Sequence, residues 1–395
     1  MTSVGGMEPE VLRTPRLELS APTSSDVDAI HAACQDADIQ RFTSVPSPYL
    51  REHAEGFVDD AAAGWDGGDE PTWAIRAGGE LAGMISLARL TSGGPEIGYW
   101  ITRRFRRHGY ALEAARAVVD WGFAPERPAV ARVEDFTIES SGGFALPVRL
   151  YVPSPAAKGL IVYFHGGGWV IGTVEGFHPM TATLANRTGC AVLSVDYRLA
   201  PEYPFPVPVE DALAAIGWAA QHGAQAIGAE PRALIAMGDS AGGNLATVAA
   251  RLHNRSQPRR KVDLQVLAYP VTDHDFDTAS YMEFAEGNLL TRNDMKWFWN
   301  HYLPDASKRS HPDASPLHAE DLSASPAALV LTAGRDPLRD EGEAYGEKLR
   351  RAGVQAEVVR CEGLLHGFLS MINYAPSAGQ AFERIVAAIG KATAK

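Results

Sequence analysis

The sequence predicts an α/β fold, a doubly wound and mainly parallel sheet with a helical cap, preceded by a smaller α+β part. After about residue 130, strand-like and helix-like runs alternate, which is the order of elements in such a sheet. Runs such as Leu160–Phe164 and Ala328–Thr332 do not alternate between apolar and polar residues, as expected of central strands buried on both faces. Prolines interrupt residues 124–128 and disfavour helix just before them. We therefore predict two domains, residues 1–127 and 128–395.

Composition excludes several classes of function. The 395 residues carry a net charge of −12, which argues against nucleic acid as a partner because phosphate contacts need a basic face. No apolar run approaches the roughly 18 residues of a membrane span, and residues 1–16 lack the apolar core of a secretory signal. The three cysteines are far apart and have no metal-ligand spacing. We therefore expect reduced thiols in a cytoplasmic protein, with no metal and no cofactor.

The larger part contains a candidate nucleophile at Ser240. The strand-like run 233–237 leads into residues 238–243, GDSAGG, and then into a helix-like run. G-x-S-x-G between a strand and a helix is typical of a nucleophilic serine on a sharp turn, where small neighbours relieve crowding. The helix that follows would direct its N-terminal N–H groups and dipole toward the serine.

A glycine-rich loop upstream strengthens this interpretation. The strand-like run Leu160–Phe164 ends in residues 165–169, HGGGW. Consecutive glycines let the backbone approach a substrate closely and present N–H groups to a developing oxyanion. We predict that Gly166 and Gly167, together with Ala241 just after the nucleophile, form the oxyanion hole.

The general base and its carboxylate partner are expected downstream, in the order serine, acid, histidine. Asp336 follows the run Ala328–Thr332, and Asp340 and Glu341 are nearby rivals that we assign instead to the start of the next helix. His366 follows the run 356–360. We predict that His366 acts as base and then acid for Ser240, oriented by Asp336.

These motifs resemble those of the hormone-sensitive-lipase-like (bacterial family IV) esterases of the α/β-hydrolase fold. The shared motifs cover about two thirds of the chain and are HGGGW at 165–169, DYRLAPE at 196–202, GDSAGG at 238–243, DPLRDEG at 336–342 and HGF at 366–368. The resemblance implies hydrolysis of short- to medium-chain acyl esters, small-molecule substrates, without metal or organic cofactor. It also implies the residue roles given above, with Asp196 and Tyr197 in structural roles.

The cap of this family is represented only in part. Relatives usually begin with a helical segment that covers the acyl pocket, and none precedes the first hydrolase strand here. Residues 273–306, which we call the cap segment, supply the other cap element and are rich in aromatic residues. These aromatic residues either form a packed helix pair or also line the acyl or alcohol pocket.

The N-terminal third resembles a GNAT-type N-acetyltransferase of the subgroup that modifies ribosomal-protein N-termini. The matching segments are LRTPRLEL at 12–19, ELAG at 80–83, EIGYW at 96–100 and RRHGYALEA at 106–114. The last fits Q/R-x-x-G-x-G/A, a loop whose N–H groups bind the acetyl-CoA pyrophosphate. If acetyl-CoA binds, Arg106, Gly109 and Ala111 are the predicted contacts, although Arg107 replaces the usual glycine.

The resemblance to the acetyltransferases ends after Phe123, before the strands that complete the coenzyme cleft. Residues 130–138 fit either the next acetyltransferase strand or the first hydrolase strand, and we hypothesise that the two ancestries join there. A truncated fold leaves an open sheet edge that needs covering. We therefore expect the N-terminal part to serve the hydrolase as cap, specificity element or dimerisation surface, so that deleting residues 1–127 causes insolubility or changes acyl-chain preference.

The sequence leaves three alternatives to a simple esterase. One is a bifunctional enzyme that also transfers acetyl groups. Another is an amidase or formamidase using the same three residues, which would demand better leaving-group protonation by His366. The last is a pseudoenzyme that only binds small ligands or protein. A homodimer is also left open.

Overall fold

The chain forms two compact units, Met1–Ala124 and Pro125–Lys395. The computed structural model describes residues 7–43, 45–88, 96–122, 130–372 and 375–394. The boundary predicted between residues 127 and 128 therefore lies outside the described residues. Among the helices within these ranges, none is long and apolar enough to cross a membrane.

The N-terminal unit is an antiparallel sheet with helices, which confirms the predicted α+β class. Its five strands follow the order β1-β2-β3-β4-β5. The strands are β1 (Leu12–Arg13), β2 (Leu17–Ser20), β3 (Thr72–Ala77), β4 (Glu80–Ala88) and β5 (Glu96–Ile101). The helices are α1 (Val27–Ala33), α2 (Ala37–Phe42), α3 (Arg51–Gly67) and α4 (Tyr110–Gly122).

Each face of this sheet has its own core. Successive strand residues point to opposite faces, so Trp73 packs with Trp65 and Val118 on one side while Ala74 packs with Ile30 on the other. Trp65 and Trp73 meet edge to face with ring centroids 4.8 Å apart, an arrangement that aromatic quadrupoles favour.

The larger unit confirms the predicted doubly wound, mainly parallel sheet. Eight strands follow the order β13-β12-β11-β10-β8-β9-β7-β6, and only β7 runs antiparallel to its neighbours. The strands are β6 (Arg132–Ser140), β7 (Phe144–Val152), β8 (Leu160–Phe164), β9 (Ala191–Val195), β10 (Leu234–Asp239), β11 (Leu264–Ala268), β12 (Ala327–Arg335) and β13 (Ala356–Leu365). The helices are α5 (His178–Thr188), α6 (Val207–Ile227), α7 (Ala241–Arg255), α8 (Ala279–Glu283), α9 (Arg292–Tyr302), α10 (Arg339–Arg351) and α11 (Pro376–Thr393).

Alternate residues of the central strands fill two cores. In β8, Leu160, Val162 and Phe164 face one core, and Ile161 and Tyr163 face the other. All five are completely buried, which explains why this run contains no charged residue. Helices therefore cover both faces of the sheet, and the ends of β8, β10, β12 and β13 carry the residues predicted to act in chemistry.

Strand β6 answers the question left open for residues 130–138. Within the described residues it pairs only with β7, from Arg132 opposite Val152 to Ser140 opposite Phe144. The structure therefore assigns this strand to the larger unit. That assignment weakens the hypothesis that the two ancestries join at this strand.

Candidate active site

Ser240 lies at a sharp turn between β10 and α7. Its backbone has φ 55° and ψ −121°, a conformation that residues other than glycine rarely adopt. The turn is held by the Ser240 N–H, which donates to Ala268 O at 2.9 Å. A Cβ at Gly238 would lie 2.2 Å from Gly242 O. The flanking glycines are therefore required for the turn that presents the serine.

The structure brings the three predicted residues into one hydrogen-bonded chain. Ser240 Oγ lies 2.9 Å from His366 Nε2, and His366 Nδ1 lies 2.7 Å from Asp336 Oδ2. An ionised carboxylate only accepts hydrogen bonds, so Nδ1 carries the proton and Nε2 is left to accept from the serine. Asp336 is completely buried, and its other oxygen accepts the Leu338 N–H at 2.9 Å.

Sheet topology explains why residues so distant in sequence meet here. Asp336 follows β12 and His366 follows β13, and these strands are parallel neighbours. Ser240 follows β10, which is separated from β12 only by β11. Ligand and reaction sites of open α/β sheets lie at the carboxyl ends of the strands, where all three side chains are placed.

The two rival carboxylates have other partners. Asp340 Oδ2 accepts the Ser280 N–H at 2.8 Å. Glu341 Oε1 accepts the Thr272 and Asp273 N–H groups at 2.7 and 3.1 Å, and burial raises the pKa of Glu341 well above its ordinary value. Both open helix α10 as predicted, so Asp336 is the carboxylate that contacts the histidine.

The glycine loop requires a correction to the predicted oxyanion hole. The Gly166 N–H donates to Asp239 Oδ1 at 2.9 Å, so it is already used within the protein. Within the part of the chain that the structure describes, the N–H groups of Gly167, Gly168 and Ala241 donate to no acceptor. The geometry therefore replaces Gly166 with Gly168 as a candidate donor and leaves Gly167 and Ala241 unchanged.

Asp239 is a functional residue that sequence reasoning missed. Its carboxylate accepts from Gly166 N and also from the Tyr163 hydroxyl, so it ties the glycine loop and strand β8 to the residue before the nucleophile. Burial raises its pKa to about 6. A Cβ at Gly166 would lie 2.5 Å from Asp239 Oδ2, which explains why glycine is needed there. The available signal was an aspartate at the end of an otherwise apolar strand.

The DYRLAPE motif, residues 196–202, forms hydrogen bonds with both ends of the glycine loop. The Tyr197 hydroxyl donates to His165 O at 2.9 Å, and the two rings stack with centroids 4.5 Å apart. The Ala200 N–H donates to Trp169 O at 2.8 Å. Because the backbone carbonyls at both ends of the loop accept hydrogen bonds, its free N–H groups have a defined position.

Aromatic residues of the cap segment pack directly on the glycine loop. The Trp169 ring stacks on Tyr302 with centroids 4.0 Å apart and planes 6° apart, and it meets Trp299 edge to face. The Phe298 ring lies so close to Gly168 that a Cβ there would be 2.2 Å from it. Trp297 remains about half exposed. The cap segment therefore packs on the candidate oxyanion loop through helix α9.

The N-terminal unit contains a separate cleft of about 1430 Å³, bounded by α2, α3, β5 and the start of α4. Gly109 and Ala111 lie at the α4 end of this cleft, as the acetyltransferase resemblance implies. Arg106, however, binds Asp38 Oδ2 at 2.7 Å, Asp36 Oδ1 at 3.0 Å and a backbone carbonyl.

These contacts do not fit the predicted role of Arg106 in binding acetyl-CoA. Its guanidinium is already neutralised by two carboxylates, and those carboxylates would repel a pyrophosphate. Arg107 occupies the position where relatives have glycine and has φ 63°, the left-handed conformation that glycine adopts without strain. We therefore derive no acetyl-transfer step for this cleft.

The fold and the site together define a class of protein. A serine on a strained strand–helix turn, a histidine and a buried aspartate after later strands, and an upstream glycine loop are the parts of an α/β-hydrolase. Comparison with known proteins agrees. A family model described as alpha/beta hydrolase fold matches residues 161–370, and one described as acetyltransferase (GNAT) domain matches residues 16–140.

The individual relatives that the chain resembles are ester hydrolases. It is 40% identical over 262 residues to carboxylic ester hydrolase LipN of Mycobacterium tuberculosis, covering 65% of this chain and 69% of that protein. It is 36% identical to ethyl acetate hydrolase of Pseudomonas putida, over 65% of this chain and 82% of that one. The crystal structure of EstE1, a thermostable carboxylesterase cloned from a metagenomic library, aligns with TM-score 0.64 and 41% identity over 67% of this chain and 90% of that one.

The chain therefore belongs to the α/β-hydrolase family, in its hormone-sensitive-lipase-like group of esterases, with a GNAT-like unit at its N-terminal side. It is an enzyme of the carboxylic ester hydrolase class.

Proposed function

We propose that the protein hydrolyses short- to medium-chain acyl esters through Ser240, His366 and Asp336. The observation that carries this proposal is the continuous hydrogen-bond chain from Ser240 Oγ through both nitrogens of His366 to the buried Asp336. A serine hydroxyl is a weak nucleophile unless a base within hydrogen-bond reach removes its proton. His366 Nε2, 2.9 Å from Ser240 Oγ, lies within that reach.

The reaction then proceeds in two balanced halves. His366 Nε2 takes the proton of Ser240 as Oγ attacks the ester carbonyl, and the same nitrogen returns the proton to the departing alkoxide, which leaves as an alcohol. Water next attacks the acyl-serine, giving its proton to His366, and the carboxylic acid leaves as Ser240 regains a proton. Asp336 stabilises the imidazolium in both halves and does not itself become protonated.

The negative oxygen that develops in each half needs preorganised donors. We assign Gly167, Gly168 and Ala241, whose N–H groups have no acceptor among the described residues. Ala241 is also the first residue of α7, so the positive end of the helix dipole adds to the stabilisation. Donors held in place before the reaction cost no reorganisation at the transition state.

The remaining assignments concern specificity and setting. We propose that the cap segment shapes the acyl or alcohol pocket through Phe298, and that the N-terminal unit serves as cap, specificity or dimerisation module. We expect small-molecule esters rather than nucleic acid as the partner. We also propose a cytoplasmic location, because the three cysteines are free thiols and structural disulfides mark oxidising compartments.

A chain-length series of nitrophenyl esters tests the chemistry. Ser240→Ala is expected to abolish the burst of nitrophenol and to lower kcat by at least about 1,000-fold, the usual scale for loss of a nucleophile. Ser256→Ala, at an exposed serine on the far end of α7, should leave kinetics unchanged. Full ester turnover by Ser240→Ala would overturn the proposal. Faster hydrolysis of anilides than of matched esters would instead indicate an amidase.

The same series tests the N-terminal unit. The full chain is compared with a chain that begins at residue 128, and we expect the shorter chain to lose solubility or to change its preferred acyl length. Unchanged stability and an unchanged chain-length profile would remove the N-terminal unit from the proposal without affecting the role of Ser240.

A further inference from the structure

Three potential metal ligands converge in the larger unit, outside the Ser240–His366–Asp336 chain. Asp273 and His274 follow β11, and His318 ends a short 3-10 turn far along the sequence. Asp273 Oδ1 lies 2.7 Å from His318 Nε2 and 3.3 Å from His274 Nδ1. One ligand atom from each residue lies within 4.8 Å of the other two. No cysteine takes part, so the search for cysteine spacing in the sequence could not have found this cluster.

These separations suit a small divalent ion. Zinc binds imidazole nitrogen and carboxylate oxygen at about 2.0–2.2 Å, and tetrahedral coordination therefore holds the ligand atoms roughly 3.4 Å apart. The separation between Asp273 Oδ1 and His274 Nδ1, 3.3 Å, is close to this value, and the 2.7 Å separation between Asp273 Oδ1 and His318 Nε2 is shorter than it. To accommodate an ion, the His318 ring would have to withdraw by about 0.7 Å. His318 is the most exposed of the three residues, with 40% of its side chain accessible.

The backbone that carries the ligands is fixed from two directions. The Asp273 N–H donates to Glu341 Oε1 at 3.1 Å. The Leu317 N–H donates to Thr272 O at 2.9 Å, which joins the turn before His318 to the segment before Asp273. The two ligand-bearing segments are therefore held together without an ion, and binding would not have to order them.

The second nitrogen of His274 also has a partner. Its Nε2 lies 3.5 Å from the Ser310 hydroxyl, while Nδ1 faces Asp273. Histidine ligands of metals commonly donate their other ring N–H to a neighbouring oxygen, which fixes the tautomer that binds. Without an ion, Nδ1 faces the Asp273 carboxylate and the Ser315 hydroxyl and carries the proton. Zinc binding would move that proton to Nε2, where the Ser310 hydroxyl is placed to accept it.

We propose that Asp273, His274 and His318 form a Zn²⁺ site with water completing the coordination. Two neutral imidazoles and one carboxylate are a donor set suited to zinc and leave one unit of positive charge. His318 Nε2 now donates to the carboxylate, so binding moves its proton to Nδ1, and Nε2 becomes a ligand. The ion would replace a hydrogen bond with a cross-link between the two segments.

The site is connected to the nucleophile by a short path. The Val271 N–H, two residues before Asp273, donates to Ser240 O at 3.2 Å. His274 also contacts Trp299 of α9, with ring centroids 6.0 Å apart, and Trp299 meets Trp169 beside the glycine loop. Zinc binding should therefore stiffen the segment between the nucleophile turn and the cap segment, and raise the thermal midpoint.

Calorimetric titration of the metal-free full chain with ZnCl₂ tests the proposal. We expect one equivalent to bind, the thermal midpoint to rise, and His318→Ala to weaken binding at least tenfold while keeping esterase activity. His311→Ala is the matched control. His311 is close in sequence to His318 and has a carboxylate 4.0 Å away, but among the described residues it belongs to no three-ligand cluster. It should bind zinc normally.

A further variant separates this site from the reaction centre. His366→Ala should still bind one equivalent of zinc. Co²⁺ bound to the wild-type chain should give a visible absorption band, and this band should be absent in His318→Ala. Unweakened binding in His318→Ala, or loss of the equivalent in His366→Ala, would overturn the proposal. If His318→Ala misfolds, which would show as lost esterase activity, Asp273→Asn takes its place, with the same tenfold weakening expected and unweakened binding again overturning the site.

Discussion

Asp239, the residue before the nucleophile, links the glycine loop to the turn that carries Ser240. Its carboxylate joins Gly166 of the glycine loop to Tyr163 of β8, while its own backbone leads into the strained turn at Ser240. The distances between nucleophile and oxyanion donors therefore depend on a group that takes no part in bond making. Such support matters because misplacing catalytic groups by about 1 Å can cost about 100-fold in rate.

The buried carboxyl also predicts a pH dependence of stability. Its pKa of about 6 lies above the ordinary 3.8, so the folded state binds the proton more tightly than the unfolded state. The bound proton therefore raises the free energy of unfolding by up to about 3 kcal/mol below pH 3.8. This contribution is lost as the pH rises through about 6. Asp239→Asn, which has no such proton, should gain in urea midpoint relative to wild type between pH 4 and pH 7.

The comparison needs a matched substitution. Asp59→Asn, at an exposed aspartate of α3, should show the same difference from wild type at both pH values. If the difference between Asp239→Asn and wild type is equally flat across this range, the raised pKa is not present in the folded protein.

The glycine loop and α9 form a contact between elements that can be tested directly. In Gly168→Ala the added methyl would lie 2.2 Å from the Phe298 ring at a φ of 59°. Overpacking costs about 1–3 kcal/mol, and a left-handed alanine about 1 kcal/mol more. We expect a lower urea midpoint and a fall in kcat/KM of at least about tenfold as the Gly168 N–H shifts.

A second substitution should relieve part of this defect. Phe298→Ala removes the obstructing ring, so combining it with Gly168→Ala should restore some of the stability while leaving the cost of the left-handed alanine. Gly176→Ala is the control, because its added methyl would meet no atom closer than 3.4 Å and should change neither property. No recovery in the double variant would mean that the loop does not rest on Phe298.

Elements were predictable to different degrees. Strand β8 coincides with its predicted run, because a strand buried on both faces does not alternate between apolar and polar residues. Helix α5 was missed because threonines 181, 183 and 188 weaken its helical signal, and burial among other elements overrides that weak propensity.

The same contrast applies within the site. Ser240, Asp336 and His366 could be located because strand order and local motifs constrain them. The candidate oxyanion donors could not be told apart among three adjacent glycines, since the acceptor that occupies the Gly166 N–H comes from a different strand. The metal-ligand cluster was missed for the same reason, because His318 reaches Asp273 only in the folded chain.

At the scale of the whole molecule, the two units match two different family models. The N-terminal unit retains an acetyltransferase-like sheet and a large cleft, but Arg106 is bound to Asp36 and Asp38. We expect calorimetry to show no binding of acetyl-CoA at millimolar concentration. Arg106→Ala should instead lower the stability of this unit by about 1 kcal/mol, because the ion-pair network is partly exposed.

Arg103→Ala is the control, since this exposed arginine of the same basic run has no ion-pair partner among the described residues. Acetyl-CoA binding that disappears in Arg106→Ala but persists in Arg103→Ala would contradict the prediction and restore the bifunctional alternative.

Strand β6 carries a practical consequence for anyone dissecting this chain. The acetyltransferase family model extends to residue 140, yet residues 132–140 form the outermost strand of the hydrolase sheet. Ser140 also donates to the buried Asp211, which holds Arg198. Deleting every residue that the acetyltransferase family model matches would therefore also remove strand β6 from the hydrolase sheet. A shortened chain that keeps the whole hydrolase sheet has to begin before Arg132.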